Sequence, residues 1–161
     1  MIKLIEVTRA NARAMVLLEL RPEQRLWVSG PGWSIARCYT RFFGDNFEHT
    51  PRIIEADGQI AGFSTIACNP ASATDYWIDD IMLDHRFQGR GYGRAAMIET
   101  LRSIVARYPN CRGIQLTCFR DNKVAAALYL SLGFVLTGAV DDEFGEPTYI
   151  LGEAALHRYR Q

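Results

Sequence analysis

The chain has 161 residues, 48% of them hydrophobic, a length that closes one core and predicts a single domain over residues 1–161. Eighteen basic and eighteen acidic side chains leave a formal charge of zero, so no global field argues for nucleic acid or an anionic membrane as partner. No apolar run reaches membrane-spanning length, and the start at Met1–Val7 is too soon interrupted by charge for a secretory signal. Neither a Cys-x-x-Cys pair nor clustered histidines announce a metal, so we expect a cytoplasmic protein with reduced thiols and no metal.

In chain order, Ile2 to Val7 reads as a strand. Asn11 to Leu20 carries apolar residues at helical spacing, with Thr8 or Asn11 as cap. Pro22 suits the first turn of a short helix, and the residue before it is pushed out of helical conformation. Ser34 is placed to cap a helix running through Phe43. Arg52–Ala56 and Gln59–Ala67 flank Asp57-Gly58, the pattern of a hairpin. A loop at Asn69-Pro70 precedes a long strand, Asp75 to Leu83.

From Gly93 to Arg107, Ala96, Met97, Leu101, Ile104 and Val105 recur at helical spacing. Gly113 to Phe119 reads as a strand, Asn122 to Leu132 as a helix ended by Gly133, and Phe134–Val140 and Thr148–Gly152 as closing strands. Strands first and strand–helix alternation later predict an α/β (α+β) fold. Its mixed sheet is antiparallel early and gains parallel pairs through the helical crossovers.

Between the long strand and its helix stands Gln88-Gly89-Arg90-Gly91-Tyr92-Gly93-Arg94. Glycines let main-chain N–H groups approach an anion, a helix start adds unpaired donors and partial positive charge, and Arg86, Arg90 and Arg94 supply cations. This is the chemistry of a diphosphate cradle. The run has no Gly-Lys-Ser/Thr ending and lacks the last glycine of the dinucleotide fingerprint, so a phosphorylated cofactor of another kind is indicated.

Downstream, Asp121-Asn122-Lys123-Val124-Ala125-Ala126-Ala127-Leu128-Tyr129 precedes Ser131-Leu132-Gly133-Phe134. Together with Gln88-x-x-Gly91-x-Gly93, it closely resembles the GNAT superfamily of acetyl-CoA-dependent N-acetyltransferases. Arg21-Pro22-Glu23-Gln24, Tyr76-Trp77-Ile78 with Ile81-Met82-Leu83-Asp84, and Thr137-Gly138 are similar to its spermine and spermidine branch. The chain departs from that branch at Asp79-Asp80 and in a slightly longer acidic turn, Asp141 to Glu146.

The resemblance implies a sheet of about six to seven strands, splayed between the central strand and the parallel one after it. The acyl carrier lies in that opening and adds to the exposed strand edge as a further strand would. It also implies acetyl-CoA as co-substrate, held by Ile81, Met82, Leu83, Gln88, Gly89, Arg90, Gly91, Tyr92, Gly93, Arg94 and Asn122. The main chain near Met82 would polarise the acetyl carbonyl, and Tyr129 would donate to the departing sulfur.

The acceptor's proton needs a base, and Asp79, Asp80 and Glu55 are the candidates, acting through water. Strand alternation would put Asp79 and Asp80 on opposite faces. Asp142 and Glu146, with Glu19 and Glu23, could line a groove for a small polyamine or diamine. Competing acceptors are an amino-sugar antibiotic or a protein N-terminus. The competing classes are a non-catalytic acetyl-CoA sensor and a structural protein whose glycine turn is only a corner. Homodimerisation through the closing strands is a further expectation.

Overall fold

The computed structural model describes residues 1–28 and 30–160. Four strands form the antiparallel first half of the sheet: β1 (Ile2–Glu6), β2 (Glu48–Ala56), β3 (Gln59–Cys68) and β4 (Tyr76–Leu83). Asp57 and Gly58 join β2 to β3 with φ of 51° and 82°, the two positive values that a tight hairpin turn requires. β2 starts four residues before the predicted point and carries Pro51 within it. β1 reaches only as far as Arg52, so β2 is an edge strand at Pro51, where a missing N–H is tolerated.

β5 (Gly113–Thr117), β6 (Val135–Val140) and β7 (Pro147–Gly152) complete a seven-stranded sheet in the order β1-β2-β3-β4-β5-β7-β6. Only β4 and β5 are parallel, and their ladder holds at one register pair, Trp77 opposite Gln115. The second helical crossover ends at the sheet edge, where β6 runs antiparallel to β7, so it adds no parallel pair. Beyond Trp77 the two central strands diverge, which is the expected splay.

Helices cover both faces. α1 (Ala12–Val16) stops four residues short of the predicted end. The Glu19 N–H instead donates to the Asp84 carboxylate at 2.9 Å and its carbonyl accepts the His85 N–H at 2.8 Å, so a tertiary contact satisfies the groups a longer helix would have used. α2 (Pro31–Tyr39) starts at proline after Gly30, one turn ahead of Ser34, and ends where Arg41 turns to a positive φ of 53°. α3 (Tyr92–Arg107) and α4 (Lys123–Leu132) match the sequence reading, and α5 (Glu153–Leu156) follows β7 directly. Among the described residues, no helix is long and apolar enough to cross a membrane.

The core has two parts. Ile66, Ile78, Met97, Leu101, Ile114 and Phe134 pack on the side of α3 and α4, while Met15, Leu18, Ile53, Phe63 and Met82 pack on the side of α1. Ile78 and Met82 are four residues apart on β4, and unbroken alternation would place them on one face. They lie on opposite faces because the β3–β4 ladder slips: Ile66 faces Ile78 and Thr65 faces Asp80, leaving Asp79 as an extra residue.

Candidate active site

Two cavities open where β4 and β5 diverge, one of about 430 Å³ and one of about 400 Å³. They share Trp27, Val28, Ile81, Asn122, Ala125 and Tyr129 as walls, so they are two ends of one cleft.

The smaller end is walled by Leu83, Gln88, Gly89, Gly93, Val124 and Leu128. Gly89 and Gly91 adopt φ of 75° and 79°, and a Cβ built on either meets nothing within 4 Å. They are glycines for the backbone conformation and leave the front of the turn clear. Gly91 precedes α3 with no side-chain cap, so the first N–H groups of a sixteen-residue helix are free for an anion. These features fit the diphosphate of a coenzyme.

The arginines divide differently from the sequence expectation. Arg86 is not a mobile cation, because its Nε and Nη2 grip the buried Asp84 carboxylate at 2.7 and 3.0 Å. Burial works against that carboxylate's charge, but the hydrogen bonds from Arg86 and from the Glu19 and Arg86 N–H groups prevail and hold its pKa well below the usual range. The Arg94 Nη1 donates to Ser131 Oγ at 2.7 Å, tying α3 to α4. Arg90 is exposed, with its guanidinium 6.0 Å from the Phe87 ring.

Gln88 Nε2 donates to the Leu83 carbonyl and to Gln24 Oε1, both at 2.9 Å, fastening the turn to the end of β4. The Tyr92 hydroxyl donates to Asp57 at 2.6 Å and pins the start of α3 to the first hairpin. Met82 is 4% exposed with its side chain in the core, so what it offers the cleft is main chain. Asn122 caps α4 by accepting the Ala125 N–H at 3.2 Å, which leaves its NH2 end available.

Tyr129 lies seven residues beyond that cap and lines both cavities. Its ring is 8% exposed and held between Phe134 and Tyr149, with centroids 6.0 and 6.2 Å away. Burial pushes the phenol pKa well above its ordinary value, so the group is a neutral donor at physiological pH.

The larger end is acidic and aromatic. The slip in the β3–β4 ladder turns Asp79 and Asp80 to the same face, contrary to simple alternation, and both line the cavity. Arg37 Nη2 donates to Asp79 at 2.9 Å and Ser34 Oγ donates to Asp80 at 2.6 Å, one turn apart on α2. Burial and the charge of Asp79 push Asp80 up to about 7, and burial raises Asp79 against the pull of Arg37. Burial also raises Glu146, which lines the cavity with Asp142.

Glu55 is not part of the site. It sits on β2 opposite Lys3 of β1 and lines neither cavity. Glu19 and Glu23 are also absent from the acidic wall. The sequence reading missed Ser34, Arg37, Trp33 and Trp77, because nothing local in α2 or β4 marks them as facing a distant carboxylate or cavity. Cys68, Cys111 and Cys118 are buried free thiols, and Cys38 is partly buried. Among the described residues, no group of three or more His, Cys, Asp or Glu is placed to hold a metal ion.

A splayed parallel pair, a glycine turn feeding a helix, and a capped helix that brings a tyrosine to the opening define the acetyltransferase class. Residues 12–134 match the Acetyltransferase (GNAT) family, and the chain belongs to it. It is 31% identical over 90 residues to the spermine/spermidine N(1)-acetyltransferase of Bacillus subtilis (strain 168), a match covering 53% of this chain and 59% of the relative. The probable spermine N(1)-acetyltransferase of Bacillus subtilis subsp. natto (strain BEST195) is 30% identical over the same length and the same shares. The chain thus spans 59% of the length of these curated relatives.

Solved structures share the fold, two of them as follows. The aminoglycoside acetyltransferase AAC(6')-Ib in complex with coenzyme A superposes with a TM-score of 0.77, 19% identity and 100% of both chains covered. The spermidine N-acetyltransferase from Vibrio cholerae, in complex with CoA and spermine, gives 0.71 with 18% identity, covering 97% of this chain and 98% of that one.

Proposed function

We propose that the protein transfers an acetyl group from acetyl-CoA to a primary amine of a small polyamine or diamine, by direct attack within a ternary complex. The observation that carries this reading is Tyr129 at the junction of a main-chain-lined cavity and a carboxylate-lined one. Acetyl-CoA supplies the activated thioester.

The turn at residues 88–94 and the start of α3 would hold its diphosphate, and the main chain of Ile81–Leu83 would orient the acyl arm. Among the described arginines of the turn and its flanks, Arg86 and Arg94 are engaged by Asp84 and Ser131, while Arg90 is exposed and would meet the phosphates. The Asn122 NH2 would hold the arm beside Tyr129.

The acceptor arrives as an ammonium with a pKa of about 10.4, and it attacks only as the free base. A carboxylate at the Asp79-Asp80 bulge, working through water, takes that proton. The free amine then attacks the thioester carbon and pushes the carbonyl electron pair onto oxygen. As the carbonyl re-forms, the C–S bond breaks and the departing thiolate accepts a hydrogen bond from Tyr129. The second nitrogen proton leaves through water to the thiolate, giving the amide and the free thiol. A phenol near 10 and a thiol near 8.5 leave full proton transfer uphill by about 2 kcal/mol in water, so hydrogen-bond donation is the larger part of the role of Tyr129.

Asp80, Asp142 and Glu146 favour an acceptor with more than one positive charge. Support also comes from the spermine and spermidine relatives, which are 31% and 30% identical to this chain over 90 residues.

The test is thiol release from acetyl-CoA with polyamines, aminoglycosides and peptides as acceptors, alongside a thermal-shift assay with CoA. Turnover is expected with spermidine or a shorter diamine. Turnover only with an aminoglycoside or a peptide would reassign the acceptor. A CoA-induced shift with no transfer to any amine would identify a sensor.

A further inference from the structure

Arg37 is the cation on the acidic wall, and the acetyl-transfer chemistry proposed above gives it no task. Its Nη2 is 2.9 Å from Asp79 on β4 and its Nη1 is 3.5 Å from Glu143 in the turn before β7. Its guanidinium carbon stands 3.8 Å from the centre of the Phe42 ring. The Nε is buried without a partner, so the side chain gives up one donor to reach both carboxylates. A helix, a strand and the acidic turn are joined at one guanidinium.

Asp79 and Asp80 are adjacent, partly buried and on one face, a pair that resists carrying two charges together. Their partners differ. Among the described residues, Asp79 has a cation as hydrogen-bond partner, while Asp80 has the Ser34 hydroxyl. Resting on the acetyltransferase reading, we infer that Arg37 is a positioning residue: by pairing with Asp79 and Glu143 it withdraws both from proton traffic and leaves Asp80 to receive the acceptor's proton. The ammonium N–H bond breaks, the proton passes along water to an Asp80 oxygen, and the electron pair stays on the nitrogen that attacks.

The groups facing this pair are Arg37 and Cys38 from α2, His49 from β2, Glu143 and Glu146 from the acidic turn, and Tyr129 from α4. Asp79 and Glu146 oppose the ionisation of Asp80, and Arg37 favours it, so the sign of each substitution follows. Removing the cation shifts Asp80 toward protonation and moves the acid limb of kcat/KM to higher pH. Removing the neighbouring carboxylate moves the limb to lower pH.

The experiment is the pH profile of kcat/KM for wild type, Arg37→Met, Arg37→Lys, Asp79→Asn and Arg37→Met/Asp79→Asn, with carbon-13 titration of the aspartate carboxyls assigned by Asp80→Asn. We expect Arg37→Met to raise the limb by about one pH unit, Asp79→Asn to lower it by a similar amount, and the double variant to return near wild type. Arg37→Lys restores the charge and recovers most of the wild-type position. A packing role alone would alter stability and KM without opposite shifts that cancel. An active wild type whose limb and Asp80 titration stay put in every variant overturns the inference and leaves the acetyltransferase reading standing. A wild type that transfers to no amine defeats that reading instead, and an Asp80 titration unmoved by Arg37→Met then defeats the inference separately.

Discussion

The proposed coenzyme end of the cleft is built from the run of chain at residues 88–94, the adjoining end of β4, one side of α4 and a wall from residues 20–28. The acceptor end gathers side chains from α2, β4, β5 and the turn at residues 141–146. The first works through main chain: positive-φ glycines, an uncapped helix start and a strand edge opened by divergence. The second works through charge held at low solvent exposure, with burial raising and Arg37 lowering the pKa of Asp79, Asp80 and Glu146. Main-chain donors suit a ligand that never changes, whereas side-chain charges let one scaffold take different amines. Tyr129 belongs to both ends, which is why it is the most informative single position.

That contrast can be broken most sharply at Tyr129. Tyr129→Phe keeps the ring between Phe134 and Tyr149 and removes only the hydroxyl. Turnover should fall about 10²-fold while the acetyl-CoA dissociation constant stays within about twofold, read by steady-state kinetics and calorimetry. Near-normal turnover would remove the phenol from the chemistry.

Reversing charge at the acceptor end tests the division itself. Asp142→Lys with Glu146→Lys should raise the KM for spermidine by about tenfold and leave that for acetyl-CoA unmoved, more so at low ionic strength. Unchanged kinetics would return the turn to a solvated loop. The smallest effect is expected at Gly91. Gly91→Ala meets no neighbour but forces an alanine to φ of 79°, at about 1–2 kcal/mol. The KM for acetyl-CoA should rise several-fold as the turn relaxes, with the amine KM unchanged, which would confirm that the two ends can be perturbed separately.

Much of the coenzyme end was legible because its signals are contiguous. The helix over residues 93–107, the helix from Asn122 to Leu132 with its stop at Gly133, and the Asp57-Gly58 hairpin all stand as read, within a residue or two. Where the reading failed, a distant group had intervened. α1 ends early because Asp84 and His85 take the backbone of Glu19, and Arg86 is lost to phosphate because Asp84 holds it. Ser34 is not a helix cap because its hydroxyl donates to Asp80 and α2 already begins at Pro31. Glu55 had the right chemistry on the wrong strand, facing Lys3 rather than the cleft.

By itself, the sequence determined the glycine turn and its helix, the spacing from Asn122 to Tyr129, and a mixed sheet, whose central opening was an implication of the family resemblance. Turns, caps and helical spacing are properties of neighbouring residues, so one stretch of chain suffices to state them. Only the tertiary structure decided that Asp79 and Asp80 share a face, since one extra residue in a ladder leaves no mark in composition or periodicity. It alone chose their partners, Arg37 and Ser34, which lie 42 and 46 positions away. Charge pairing at that separation depends on how strands and helices stack, and stacking is a property of the whole chain.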